Sequence, residues 1–135
     1  MIKLTAYRLR NVTVCRFLFD VIRKERKMEI RNNNLIIRTG KEIDHMSAEK
    51  IRKEFEECYA QGRVRNVIFD LSDVEFMDSS GIGMIMGKYK KVRYFGGKVA
   101  VTGVPVRIDK ILKMSGVYSF VSKYDNIFQA LRACE

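Results

Sequence analysis

Between Asn66 and Val92 the chain passes from a β-branched apolar run, through a polar loop, into a helical pattern. Asn66-Val67-Ile68-Phe69-Asp70-Leu71 predicts a buried strand, because a short continuous apolar run rich in Val, Ile and Phe suits a sheet covered on both faces. Ile82, Ile85, Met86 and Tyr89 then recur at helical spacing and continue to Val92. The helix opens on Asp78-Ser79-Ser80-Gly81. Asp78 or Ser79 can cap it, since a short side-chain oxygen accepts from the unpaired N–H groups of a first turn. Gly81 and Gly83 remove side-chain bulk there, so that another chain or a phosphate can approach the backbone.

The rest of the chain from Met28 alternates in the same manner. Glu29-Ile30-Arg31 and Leu35-Ile36-Ile37-Arg38 flank Asn32-Asn33-Asn34, which predicts a hairpin because Asn tolerates the left-handed turn conformation. Gly40 to His45 is expected to be a loop, followed by a helix capped by Ser47 with Ile51, Phe55, Cys58 and Tyr59 on its inner face. Gly96-Gly97 ends the Ser80 helix, and Lys98 to Thr102 is the next strand. Pro105 starts a helix with Val106, Ile108, Ile111, Leu112 and Met114 on its apolar side, stopped at Ser115-Gly116. Phe120-Val121-Ser122 predicts a last strand, and Asp125 caps a final helix carrying Ile127, Phe128 and Leu131. A hairpin followed by alternating strands and helices implies an α/β fold with a small, mostly parallel sheet and about four helices.

At 135 residues the chain suits one domain. Its net charge of +10 is unevenly placed: residues 1–27 hold eight Lys/Arg against two acids, residues 28–135 eighteen against fourteen. Once that leader is set aside the domain is only mildly basic, which removes most of the case for nucleic acid as a partner. No apolar run approaches the roughly 20 residues that span a bilayer, so no stable membrane insertion is expected. Cys15, Cys58 and Cys134 are widely spaced with no CxxC, which points to free thiols in a reducing cytoplasm. His45 is the only histidine, so no metal site of the usual kind is expected, and no cofactor.

Asp73-Val74-Glu75-Phe76-Met77-Asp78-Ser79-Ser80-Gly81-Ile82-Gly83-Met84-Ile85-Met86-Gly87-Lys88-Tyr89-Lys90 closely resembles the central motif of the STAS domain. Asp44-His45 with Ala48-Glu49, and Lys113-Met114-Ser115-Gly116, match as well. Within that family the chain looks most like the anti-sigma-factor antagonists of sporulating bacteria, those of the sigma-F pathway. The resemblance implies a STAS fold over residues 28–135 and places the phosphoacceptor, the serine before the glycine, at Ser80. It implies phosphate transfer from an anti-sigma serine kinase, which the unmodified protein binds so that a sigma factor is freed, and a phosphoserine phosphatase that resets the switch. Asp78, Ser79, Gly81 and Gly83 would support the phosphosite, and Glu42, Asp44, His45 and Ile82 would contact the partner. In one respect the chain departs from the family: aligned on Asp44-His45, Lys41 stands where a glycine is usual.

No enzyme is expected. Hydrolysis at Ser79 or Ser80 needs a base held by a third group, only His45 is available, and there is no Gly-x-Ser-x-Gly elbow. Gly81-x-Gly83 lacks the Lys-Ser/Thr of a phosphate-binding loop. Asp70 with Asp73 and Glu75 with Asp78 are pairs of acids that read as solvated or capping. The competing reading is a STAS module of a membrane transport or lipid-transport complex acting without phosphorylation. Residues 1–27 form a basic leader that is no signal peptide, as it ends in Arg-Lys-Glu-Arg-Lys. That run can be encoded by a purine-rich ribosome-binding sequence, so translation is expected to start at Met28.

Overall fold

The computed structural model describes residues 27–134. All of the leader but Lys27 therefore lies outside the described residues, as do Cys15 and the expectation of a start at Met28. β1 (Lys27–Arg31) and β2 (Asn34–Arg38) form the hairpin. Its turn is two residues long, Asn32 and Asn33, both at positive φ (49° and 70°), the arrangement that matches the twist of the flanking strands. Asn34, expected in the turn, is instead a buried strand residue whose Oδ1 accepts from Asn66 Nδ2 at 2.9 Å.

β4 (Asn66–Asp70), β6 (Val99–Thr102) and β7 (Ser122–Tyr124) complete a five-stranded sheet in the order β1-β2-β4-β6-β7, parallel except for the hairpin. Helices α1 (His45–Ala60), α2 (Ser79–Tyr94) and α3 (Val106–Ser115) pack on one face, enclosing Leu35, Ile37, Val67, Phe69 and Val101. α4 (Ile127–Ala133) lies on the other, over Ile36, Ile68 and Ala100. This is the α/β architecture expected, with four α-helices among the described residues.

Two boundaries and two helix faces differ from expectation. The last strand is Ser122–Tyr124, because Val117–Ser119 first makes a 3₁₀ turn that buries Val117 and leaves Phe120 outside. The α4 cap is Asn126, whose Oδ1 accepts from Gln129 N, and Phe128 points to solvent. Val106 and Met114 are exposed on α3, which buries only Ile108 and Leu112. In α2 the buried line is Gly81, Met84, Ile85, Lys88 and Val92, so the inner face is turned from the one expected, and Ile82, Met86 and Tyr89 sit at its margin. A small residue and a lysine hid that line from a reading of apolar spacing alone. Lys88 is only 7% exposed. Its Nζ lies 4.6 Å from the centre of the Phe55 ring and 3.0 Å from Glu56 Oε1, which fastens α2 to α1.

Candidate functional site: two helix starts clamped together

The carboxyl ends of β2, β4 and β6 face one pole of the domain, and two short segments there pair with each other outside the main sheet. β3 (Glu42–Ile43) and β5 (Phe76–Met77) run parallel, Glu42 opposite Phe76 and Ile43 opposite Met77. Main-chain bonds extend this ribbon at both ends: Glu75 N and Phe76 N donate to Lys41 O (2.7 and 3.1 Å), and Asp78 N donates to Ile43 O (3.2 Å). Neither strand was legible as such, since two residues give no periodicity. Each runs straight into a helix, so the ribbon sets the starts of α1 and α2 side by side.

Both starts are capped by an aspartate in nearly the same backbone conformation: Asp44 at φ −103°, ψ −172° and Asp78 at φ −103°, ψ −173°. Asp44, not the expected Ser47, caps α1. Asp44 Oδ1 accepts from Ser47 N at 2.9 Å while Ser47 Oγ accepts from Asp44 N at 2.9 Å, a closed capping box. The Ser47 backbone and hydroxyl bonds hold the Asp44 carboxyl below its ordinary value. His45, expected in the loop, is the first residue of α1 and is exposed, as is Glu42. Of the two candidates for the second cap, Asp78 is the one used: its Oδ1 accepts from Ser80 N at 2.8 Å and Gly81 N at 3.4 Å. Those amides were expected to be open to a phosphate; the Asp78 carboxylate already occupies them.

Ser79 is exposed and Ser80 half-buried. No side-chain hydrogen bond engages the Ser80 hydroxyl among the described residues. The two glycines serve different ends. A Cβ on Gly81 would stand 2.7 Å from Met77 Cγ and 2.8 Å from Ile43 Cγ2, so the close approach that Gly81 permits is that of the protein's own core. Gly83 faces open space. Ile82 is half-buried, packed against the core on one side. Two apolar residues of this surface were missed, Met46 (69% exposed) and Phe76 (51%). In Glu75-Phe76-Met77 only the ribbon register decides which side chain turns inward, and it is Met77.

The acids of the neighbouring loops are engaged singly. Asp70 Oδ1 accepts from Ser72 Oγ at 2.7 Å, and Arg38 Nε lies 3.5 Å from its Oδ2. Asp78 is taken up as the α2 cap, so one acid of each pair is held in a local turn or cap. Among the described residues no cluster of His, Cys, Asp and Glu is placed to hold a metal ion, and no helix is long and apolar enough to cross a membrane.

The sequence profile of the STAS domain matches residues 25–134. The chain belongs to the STAS domain family. An anti-sigma F factor antagonist of Paenibacillus polymyxa is 34% identical over 109 residues, spanning 81% of this chain and 93% of that protein. Among solved structures, the anti-sigma factor antagonist SpoIIAA in its unphosphorylated form superposes with a TM-score of 0.70 at 24% identity, covering 78% of this chain and 92% of that one. The Bacillus SpoIIAA in its phosphorylated form gives 0.67 at 23% identity, covering 82% and 99%. The STAS fold expected from the Ser80 motif is thus the fold observed.

Proposed function

We propose that the chain is an anti-sigma-factor antagonist in which the paired helix starts are the docking face and Ser80 is the phosphoacceptor. The ribbon carries this reading: it places Asp44 and His45 beside the first turn after Asp78, so one partner surface can cover both. Support comes also from the Paenibacillus polymyxa relative, an anti-sigma F factor antagonist. The partner is an anti-sigma serine kinase, bound by the unmodified chain so that its sigma factor is released. A phosphoserine phosphatase returns the modified chain to the binding form. Glu42, Asp44, His45 and Ile82 make the contact, Asp78, Ser79, Gly81 and Gly83 shape the phosphosite, and the protein acts in the cytoplasm, as a binding module and not an enzyme. The transport reading is less supported and is not taken further.

A phosphate on Ser80 brings roughly −1.5 to −2 charges at pH 7. The amides that would receive it are bonded to Asp78, whose own charge pushes it outward toward the partner. Docking then traps an unpaired charge, which costs about 3–5 kcal/mol by analogy with a broken buried ion pair, or roughly 10²- to 10³-fold in affinity. The fold is little affected, because the added charge sits at the favourable end of the helix dipole; structures of SpoIIAA in its unphosphorylated and phosphorylated forms each superpose on this chain.

Calorimetric binding to the partner kinase with ADP, with phosphopeptide mapping after incubation with ATP, tests the assignment. Ser80→Ala binds and is never released by ATP, Ser80→Asp folds normally and binds about 10²- to 10³-fold more weakly, and Ser79→Ala is still phosphorylated. Phosphate on Ser79 alone, or a Ser80→Asp variant that binds like the wild type, overturns it.

A further inference from the structure

The pole opposite the helix starts has its own chemistry. It is built from the loops that enter the sheet: Asn32–Asn33, residues 61–65, residues 95–98 and residues 116–121. None of them contains an acid, whereas the loops at the docking pole carry Glu42, Asp44, Asp73, Glu75 and Asp78. Arg63, Arg65 and Lys98 are exposed here and enter no ion pair among the described residues, and Arg93 donates to Tyr89 Oη at 2.6 Å. Beside them stand two large adjacent aromatic residues in solvent, Tyr94 at 84% and Phe95 at 63% exposure.

These loops form one built surface. Gly97 lies so close to the Arg65 carbonyl that a Cβ would fall 1.8 Å from its oxygen. Arg65 N donates to Asn33 O at 2.7 Å, and Lys98 N to Asn66 Oδ1 at 2.9 Å. Phe95 leans on Tyr59 (centroids 5.8 Å apart), which stacks on Phe55 in the core. The cations and the aromatic pair are therefore held together rather than scattered along independent loops.

We propose that this pole adsorbs to an anionic lipid bilayer, with Tyr94 and Phe95 entering the headgroup region and Arg63, Arg65, Arg93 and Lys98 facing acidic headgroups. Charge complementarity requires an anionic partner, and the rings select lipid over single-stranded nucleic acid. Successive bases need aromatic faces on which to stack. Tyr94 and Phe95 instead meet edge to face at 82°, centroids 5.1 Å apart, which closes one face against the other ring's edge. Amphipathic and apolar rings at a cationic tip are the composition of an interfacial anchor. Adsorption by this pole leaves the pole that carries Asp44 and Ser80 facing away from the bilayer, open to a soluble partner.

The 135-residue chain contains no tryptophan, so Tyr94→Trp and, at the docking pole, Val106→Trp each supply a single indole reporter. With phosphatidylcholine vesicles containing phosphatidylglycerol, emission from the Tyr94→Trp variant shifts to the blue while that from Val106→Trp does not, and pure phosphatidylcholine shifts neither. Each basic residue near the surface contributes about fivefold to partitioning. The variant R63Q/R65Q/K98Q therefore sediments with anionic vesicles about 100-fold less well at low salt, with the leader present in both proteins. Vesicle-bound Tyr94→Trp protein whose emission stays unshifted assigns adsorption to the leader and overturns the proposal. Equal shifts from both reporters, an unimpaired triple variant, or a Tyr94→Trp shift produced by a single-stranded oligonucleotide and not by vesicles also overturn it.

Discussion

The starts of α1 and α2 use the same device and finish it differently. Each has an aspartate cap in the same conformation, entered from a strand of the same two-residue ribbon. In α1 the third helical residue is Ser47, which returns the hydrogen bond and closes the box. In α2 that place is held by Gly81, which has nothing to return, and the Asp78 amide goes across the ribbon to Ile43 instead. One start is completed for local stability. The other gives up that completion so that Ile43 and Met77 can press against the helix, leaving a serine hydroxyl unengaged at its second residue. The difference separates a start closed by its own serine from one left open so that the ribbon's side chains can reach it.

The comparison is broken most severely by refilling Gly81. Gly81→Ala sets a methyl against Met77 and Ile43, both buried, and should cost about 1–3 kcal/mol of stability as overpacking. The same change at Gly83, where there is open space, should add about 0.5–1 kcal/mol through helix propensity. Paired urea titrations of the two variants check the opposed signs. Ser47→Ala opens the closed box and should cost about 1 kcal/mol, while kinase binding, corrected for folding, stays within a few-fold of wild type.

The smallest effect is in acid. Because the folded state depresses the Asp44 carboxyl, its contribution is complete above the ordinary value near 3.8 and is lost as pH falls through the depressed folded value. Asp44→Asn should accordingly flatten the acid limb of the stability curve below about pH 4 and leave its shape at neutral pH unchanged, as thermal melts across that range would show.

How far the sequence carried these conclusions varied with the size of the element. β4, β6 and the two long helices were legible because each offered several turns of pattern or a full β-branched run. The asparagine turn was legible because left-handed backbone is costly for most other residues. The ribbon was not, and with it went the true cap of α1, the place of His45 and the outward turn of Phe76. The burial of Lys88 was invisible for another reason: an amphipathic stem and a ring to receive its charge permit a lysine where a pattern expects an apolar residue. Ser80 was singled out by its motif, yet only the folded structure shows its N–H already bonded to Asp78.

The clamp between the two helix starts is made of main-chain groups, from Glu75, Phe76 and Asp78 to Lys41 and Ile43. Such bonds are indifferent to which side chains hang from them. Lys41 can occupy a place where the family usually has glycine because its carbonyl, rather than its side chain, makes the connection. The side chains of residues 41, 42, 75 and 76 can thus be exchanged without moving the start of α2, and under the proposed function a duplicated copy of this domain could use that freedom to address a different partner while Ser80 stays in place.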